Sequence, residues 1–281
     1  MKTSLLSRSH LNAYGAVIAA RYRTLLQYRA AALAGLVTQI FWGAIRIMVI
    51  VAFYELNPEG QPITLPQLVA YVWLGQALLG MFPTNVDSEI AEMIKNGGVA
   101  YELVRPLDLY NFWYCRTIAL RTATTTLRSI PMLVFAVVLL PLLGMAEWGL
   151  SLPPDGAALA GFCISLVLAL ALSCAITMLM HVVLIWSLDG EGINRILPAF
   201  ALVLSGNVLP LPLFPGWLQP FLELQPFQGL VDVPFRIYSG NIEGQGMLVE
   251  LCQQLFWVTV LTYWGRRSMQ RITRHLVIQG G

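Results

Sequence analysis

The stretch KNGGVAYELVRPLDLYNFWYCR, residues 95–116, decides how the rest of the chain is read. It is one of the few polar interruptions in a very apolar sequence. Gly97-Gly98 ends the preceding helix, because two adjacent glycines carry the highest entropy cost of helix formation. Val99 to Val104 then predicts a short helix. Arg105-Pro106 ends it, since the residue before a proline is pushed out of the α region. Asp108 is placed to cap a new helix that enters with Tyr110, Phe112, Trp113 and Tyr114, an aromatic set suited to a membrane interface. A short amphipathic piece between two membrane helices suits docking to a partner protein. The same residues also suit a surface loop with an aromatic belt.

Working outward, 57% of the 281 residues are hydrophobic and 11% charged, with four cysteines. Mean hydropathy is +0.67. Soluble domains carry about 25% charged residues, so composition alone predicts an integral membrane protein, and the helical spans below make it an all-α one. The net charge of +2 is small, and no stretch is basic enough to argue for nucleic acid. Cys115, Cys163, Cys174 and Cys252 form no C-x-x-C pair and predict neither a disulfide framework nor a metal site. Arg21, Arg23 and Arg29 interrupt any apolar run near the start, so no cleavable signal peptide is expected.

Residues 9–30 place Leu11, Tyr14, Val17, Ile18, Tyr22 and Leu25 at three- and four-residue spacings, which predicts an amphipathic helix in the interface plane. Six spans follow: 30–54, 67–93, 118–143, 157–187, 196–209 and 247–264. Arg46 lies deep in the first span. A charge there is costly, so it either lines a pathway or pairs across helices. Arg121 and Arg128, seven apart, share a face of the third span. They are expected to meet Asp87, Glu89 and Glu92 at the end of the second, as an ion-pair cluster or as a substrate contact. Ser165, Ser173, Cys174 and Thr177 give the fourth span the small residues that let membrane helices pack closely. His181 near its end reads as a packed or hydrogen-bonded histidine. Residues 189–195, DGEGINR, form a tight polar turn.

The fifth span is about 14 residues, or ~21 Å, before Pro210 and Pro212 break it. Residues 210–246 are too apolar for a solvated loop and too rich in proline for one helix. A re-entrant helical hairpin on the outer side satisfies both constraints. Within it, Asp232 caps a short helix or pairs with Arg236. The basic residues set orientation: five precede the first span, Lys95, Arg105 and Arg116 lie in the central loop, Arg195 follows the fourth span, and four end the chain. The opposite side has only Arg236. The positive-inside rule therefore puts both termini, the central loop and the 188–195 turn in the cytoplasm.

Several chemistries lack their residues. A phosphate-cradling loop needs a lysine after its glycines, and neither Lys2 nor Lys95 follows G-x-x-x-x-G. His10, His181 and His275 lie far apart, without an H-E-x-x-H, and there is no G-x-S-x-G. Carboxylates inside the spans are too sparse for a proton relay. No cofactor is expected on this chain.

Six spans, an interfacial first helix, a structured first cytoplasmic loop and an outer hairpin resemble the membrane subunit of ABC-2-type exporters. Residues 94–116 look like that family's first cytoplasmic loop. Residues 210–240 and the terminal LVIQGG are similar to a bacterial branch labelled drug or viologen exporters. The resemblance implies a permease in the cytoplasmic (inner) membrane of a bacterium. It would be paired with a second permease, identical or homologous, and with separate P-loop ATPase subunits that bind the ATP. It also implies that residues 99–107 are the coupling helix, with Val99, Tyr101, Glu102, Leu103, Arg105 and Asp108 in the ATPase contact, and that Asp189, Glu191 and Arg195 make the second one. Some relatives carry a glutamate after the glycine of this loop, where this chain has Gly98, leaving Glu102 as the nearest substitute. Other readings of the same residues are a non-pumping scaffold that recruits a cytosolic partner, and an ion-coupled carrier.

Overall fold

The computed structural model describes residues 2–27, 29–56, 60–187 and 191–274, all helix, turn or irregular chain with no strand among them. The order is α1 (Lys2–Leu25), α2 (Arg29–Leu56), α3 (Leu65–Ala77), α4 (Ser88–Lys95), α5 (Val99–Leu103) and α6 (Leu109–Val134). Then follow α7 (Leu140–Leu142), α8 (Gly156–Ser187), α9 (Glu191–Leu204), α10 (Gln219–Leu224), α11 (Asp232–Tyr238) and α12 (Gly244–Thr273). Three segments are long and apolar enough to cross a bilayer: Gly35–Leu56, Leu109–Leu142 and Gly156–Ser187. The predicted terminal LVIQGG lies outside the described residues.

The centre of the fold is α3. Every residue from Leu68 to Ala77 is buried, so this helix is enclosed on all sides rather than amphipathic. Thr64 starts it, its N–H donating to Gln67 Oε1 at 3.0 Å, with Pro66 in the first turn. Tyr71 packs edge-on against Phe235 of α11, and Trp73 against Phe135 beyond the end of α6. The Trp73 indole donates to the Trp148 carbonyl at 2.6 Å.

The expected second span, 67–93, is not one helix. Phe82 precedes Pro83 and takes extended angles, φ −68° and ψ 140°, because the proline ring excludes α geometry at the residue before it. The chain passes through a single 3₁₀ turn, Leu79–Met81, and then runs irregularly to Asp87 before α4 begins. Gly80 lets this irregular segment press on α6: a Cβ there would sit 2.8 Å from the Thr125 backbone nitrogen.

Pro131 sits inside α6, and a π-helical turn, Phe135–Leu139, carries the helix on into α7. Pro141 has no N–H for the Ala136 carbonyl, which instead accepts from Leu150 N–H at 2.9 Å as the chain folds back. The long α8 packs against α6, α11 and α12. Its small residues do what their size suggests: Ser165, Ser173, Cys174 and Thr177 are all fully buried. Ser165 donates to Gln254 Oε1 on α12 at 2.9 Å, and Gln254 Nε2 donates on to the Gly229 carbonyl at 2.7 Å.

Residues 205–243 form a chain of short helical pieces in place of one helix. Asp232 organises them. Its carboxylate accepts from Leu211 N–H at 3.0 Å, from Tyr71 Oη at 3.1 Å and from Arg236 Nη1 at 3.1 Å, so the expected pairing with Arg236 is present. Gly206, at φ +84°, brings its backbone so close to Tyr71 that a Cβ would lie 2.5 Å from the phenol oxygen.

Candidate functional site

Residues 88–108 make two short helices joined by a glycine turn. Asp87 caps α4, its Oδ1 accepting from Glu89 N–H at 3.0 Å. Gly97 takes φ +75°, where an L side chain would be strained, and Asn96 Oδ1 receives Gly98 N–H at 2.9 Å. That closes the turn into α5. Asp108 caps α6 by accepting from Asn111 N–H at 3.0 Å, as its position before an aromatic helix predicts.

Helix α5 is only five residues long, yet its two sides differ sharply. Val99 is buried in an apolar cluster with Ile90, Ile94, Tyr110 and Trp113. Glu102 is 5% exposed, and its Oε2 accepts the Trp113 indole N–H at 2.9 Å. Tyr101, at 81%, and Val104, at 83%, stand almost free, and Leu103 is exposed beside them. Arg105 lies between the two sides. Its guanidinium is 5.3 Å from the Phe112 ring centroid and 3.6 Å from Glu102 Oε1. Glu102 thus anchors α5 to α6 from its buried side.

The loop is fixed to its surroundings by ion pairs that the sequence reading assigned to other arginines. Arg116 of α6 reaches Glu89 at 2.8 Å and Asp87 at 3.3 Å. Arg21 of α1 reaches the same carboxylates at 2.7 Å and 3.4 Å. Burial acts to lower the Arg21 guanidinium's pKa, but its bonds to Glu89 and the charge of Asp87 outweigh that and hold it above its ordinary value. Asp108 adds two further ties: its N–H donates to Tyr14 Oη at 3.3 Å, and its carboxylate lies 3.5 Å from Arg266 of α12.

The expectation that Arg121 and Arg128 meet the acidic end of 67–93 is corrected. Arg121 donates to the Asn85 carbonyl at 2.6 Å and to Thr177 Oγ1 at 3.3 Å. It serves the irregular segment behind Pro83, where a carbonyl without a helical partner needs a donor. Ser173 does the same for the Met81 carbonyl, and Thr124 for the Gly80 carbonyl at 3.3 Å. Arg128 lies against Gly35 of α2, 3.7 Å from where a Cβ would stand. Arg46 donates to the carbonyls of Asn207 and Val208 just beyond α9, the latter at 3.0 Å. All three arginines are therefore separate from the loop, and Arg46 pairs across elements.

Of the second predicted contact, Asp189 lies outside the described residues, and so does the Glu191 side chain. Arg195 is an exposed residue in α9. Residue types alone did not assign the ion pairs of Arg21 and Arg116, and they gave Trp113 only a place at the membrane interface. Arg21 had a local signal, falling seven residues after Tyr14 on the packed face of α1. Trp113 had none, because its partner is eleven residues away across a turn.

A cavity of about 500 Å³ opens between α3, α6 and α8. Thr122, Thr125, Thr126, Leu78, Phe162 and Leu166 are among its lining residues. The three threonine hydroxyls donate back to carbonyls four residues earlier in α6. The wall thus offers apolar surface and no charge.

An all-helical membrane protein with a rigidly anchored, exposed loop between two helices is the class these features define. The family described as ABC-2 family transporter protein matches residues 35–280, and the chain belongs to it. Membership makes it the membrane component of an ABC transporter, a setting that implies an ATPase partner. A comparison with curated proteins finds no match.

Proposed function

We propose that the chain is the permease subunit of an ATP-driven exporter in the cytoplasmic membrane of a bacterium. Its separate P-loop ATPase docks on α5. The observation that carries this reading is the two-sided α5, with Tyr101, Leu103 and Val104 projecting while Glu102 and Val99 are locked to Trp113 and its cluster. A projecting apolar tip on a rigid base can pass a push from a soluble partner into α6 and, through Arg116 and Arg21, into α4 and α1.

In this reading the six spans are α2, the broken α3–α4 unit, α6 with α7, α8, α9 and α12. Residues 210–246 re-enter on the outer side, and both termini are cytoplasmic. The broken unit is supported by the donors Arg121, Ser173 and Thr124, because irregular backbone at membrane depth needs internal partners. A second permease, identical or homologous, completes the pathway. The exposed face of α2, with Val37, Phe41 and Met48, is apolar surface for it to cover. The substrate is amphipathic or drug-like, in keeping with apolar walls that carry no fixed charge.

The test is purification from native membranes in mild detergent, followed by mass spectrometry of what accompanies the chain. A co-purifying P-loop ATPase, lost when residues 97–107 are replaced by a Gly/Ser linker, is the expected result. Dye export from vesicles should then require ATP. Recovery of the folded chain without any nucleotide-binding subunit, or dye movement driven by an ion gradient alone, would overturn the proposal.

A further inference from the structure

The end of α12 carries three arginines that neither the loop nor the transport pathway uses: Arg267, Arg271 and, at its C-cap, Arg274. Tyr263, Arg267, Arg271 and Arg274 succeed one another at spacings of four, four and three, so they line one face of the helix. Trp264 lies beside them, three residues before Arg267. All five are exposed, whereas Leu261, Gly265 and Met269, on the opposite face, are buried. Phe256, two turns earlier, extends the exposed face with apolar surface. Arg266 points elsewhere, to Asp108. Among the described residues no carboxylate lies within ion-pairing distance of Arg267, Arg271 or Arg274.

We infer that this face is a binding site for the phosphate headgroups of anionic phospholipids. The inference rests on the reading that α12 crosses the bilayer, and it goes beyond the transport proposal. The order along the face, apolar, then aromatic, then guanidinium, is the order of polarity met on leaving a bilayer. Helical side chains lean toward the helix N-terminus, so the arginines reach back toward the membrane. Arg267 shows that lean, its guanidinium carbon 5.6 Å from the Tyr263 ring centroid one turn earlier. A guanidinium fork matches a phosphate bidentately, which a choline or ethanolamine headgroup with no net charge rewards less. Arg267 and Arg271, about 6 and 12 Å beyond Tyr263 at 1.5 Å per residue, form the core of the site. Arg274 extends its rim.

The test uses the full chain reconstituted in phosphatidylcholine vesicles containing a fixed fraction of brominated lipid. Trp264 fluorescence is taken as the difference between the unaltered protein and W264F. Brominated phosphatidylglycerol should quench Trp264 several-fold more than brominated phosphatidylcholine, and the difference should shrink with salt. In R267Q/R271Q the preference should fall roughly fivefold for each arginine replaced. Equal quenching by the two lipids, or a preference unchanged in R267Q/R271Q, would overturn the headgroup site while leaving the span intact. Quenching by neither lipid would overturn both the site and the placement of this end of α12 at the bilayer, showing it covered by protein or remote from lipid. None of these readouts needs the ATPase or transport.

Discussion

The indole N–H of Trp113 donates to Glu102 Oε2 across 2.9 Å, joining the interior of α6 to the buried side of α5. The only carboxylate in α5 is therefore turned inward. Its neighbours Tyr101 and Val104 are the side chains that stand exposed.

The inward bond separates two substitutions of one residue. Glu102→Gln keeps an acceptor for Trp113 and loses only a half-exposed ion pair with Arg105. It should cost under about 1 kcal/mol. Glu102→Ala leaves the Trp113 indole buried without a partner and should cost roughly 1–3 kcal/mol. Thermal unfolding of the purified chain in detergent, followed by near-ultraviolet circular dichroism, distinguishes them; equal losses would mean that the indole bond carries no weight.

Tyr101→Ala combined with Val104→Asp should reduce ATPase association at least tenfold, since both side chains project from the loop and the aspartate would have to be desolvated on docking. The unfolding midpoint should stay within a degree or two, because neither side chain contributes to the core. Retention of the ATPase at unaltered affinity would remove α5 from the docking site.

Asp87 and Glu89 share the same two arginines, but Asp87 is 2% exposed and Glu89 56%. Asp87→Asn leaves two guanidiniums near a neutral amide in a buried place, and should cost about 3 kcal/mol. Glu89→Gln should cost no more than about 1 kcal/mol. Denaturation of the two variants side by side is the check, and the reverse ranking would contradict the burial argument.

Gly80→Ala should destabilise by roughly 1–3 kcal/mol, because the added methyl meets the α6 backbone at Thr125, which has nowhere to move. Arg121→Met should cost a similar amount by stranding the Asn85 carbonyl. If both variants unfold at the unaltered midpoint, the segment behind Pro83 does not pack on α6 as described.

The sequence by itself determined the apolar helical character of the chain, the helix 156–187, the glycine turn at 97–98, the short helix after it and the Asp108 cap. Each of these is set within a few residues, by hydropathy, by a cap's own hydrogen bond, or by a glycine's φ. Even the break at Phe82-Pro83 was written locally and passed over, because the apolar run on either side reads as one helix.

The tertiary structure decided which charges meet. Arg116 and Arg21, not Arg121 and Arg128, reach Asp87 and Glu89, while Arg121 is held by the Asn85 carbonyl that the proline break leaves without a helical partner. It also decided that Glu102 faces inward, because that depends on where α6 delivers Trp113 after a turn. A side chain's partner is fixed by the elements that pack around it, and spacing along one helix names only the face from which it starts.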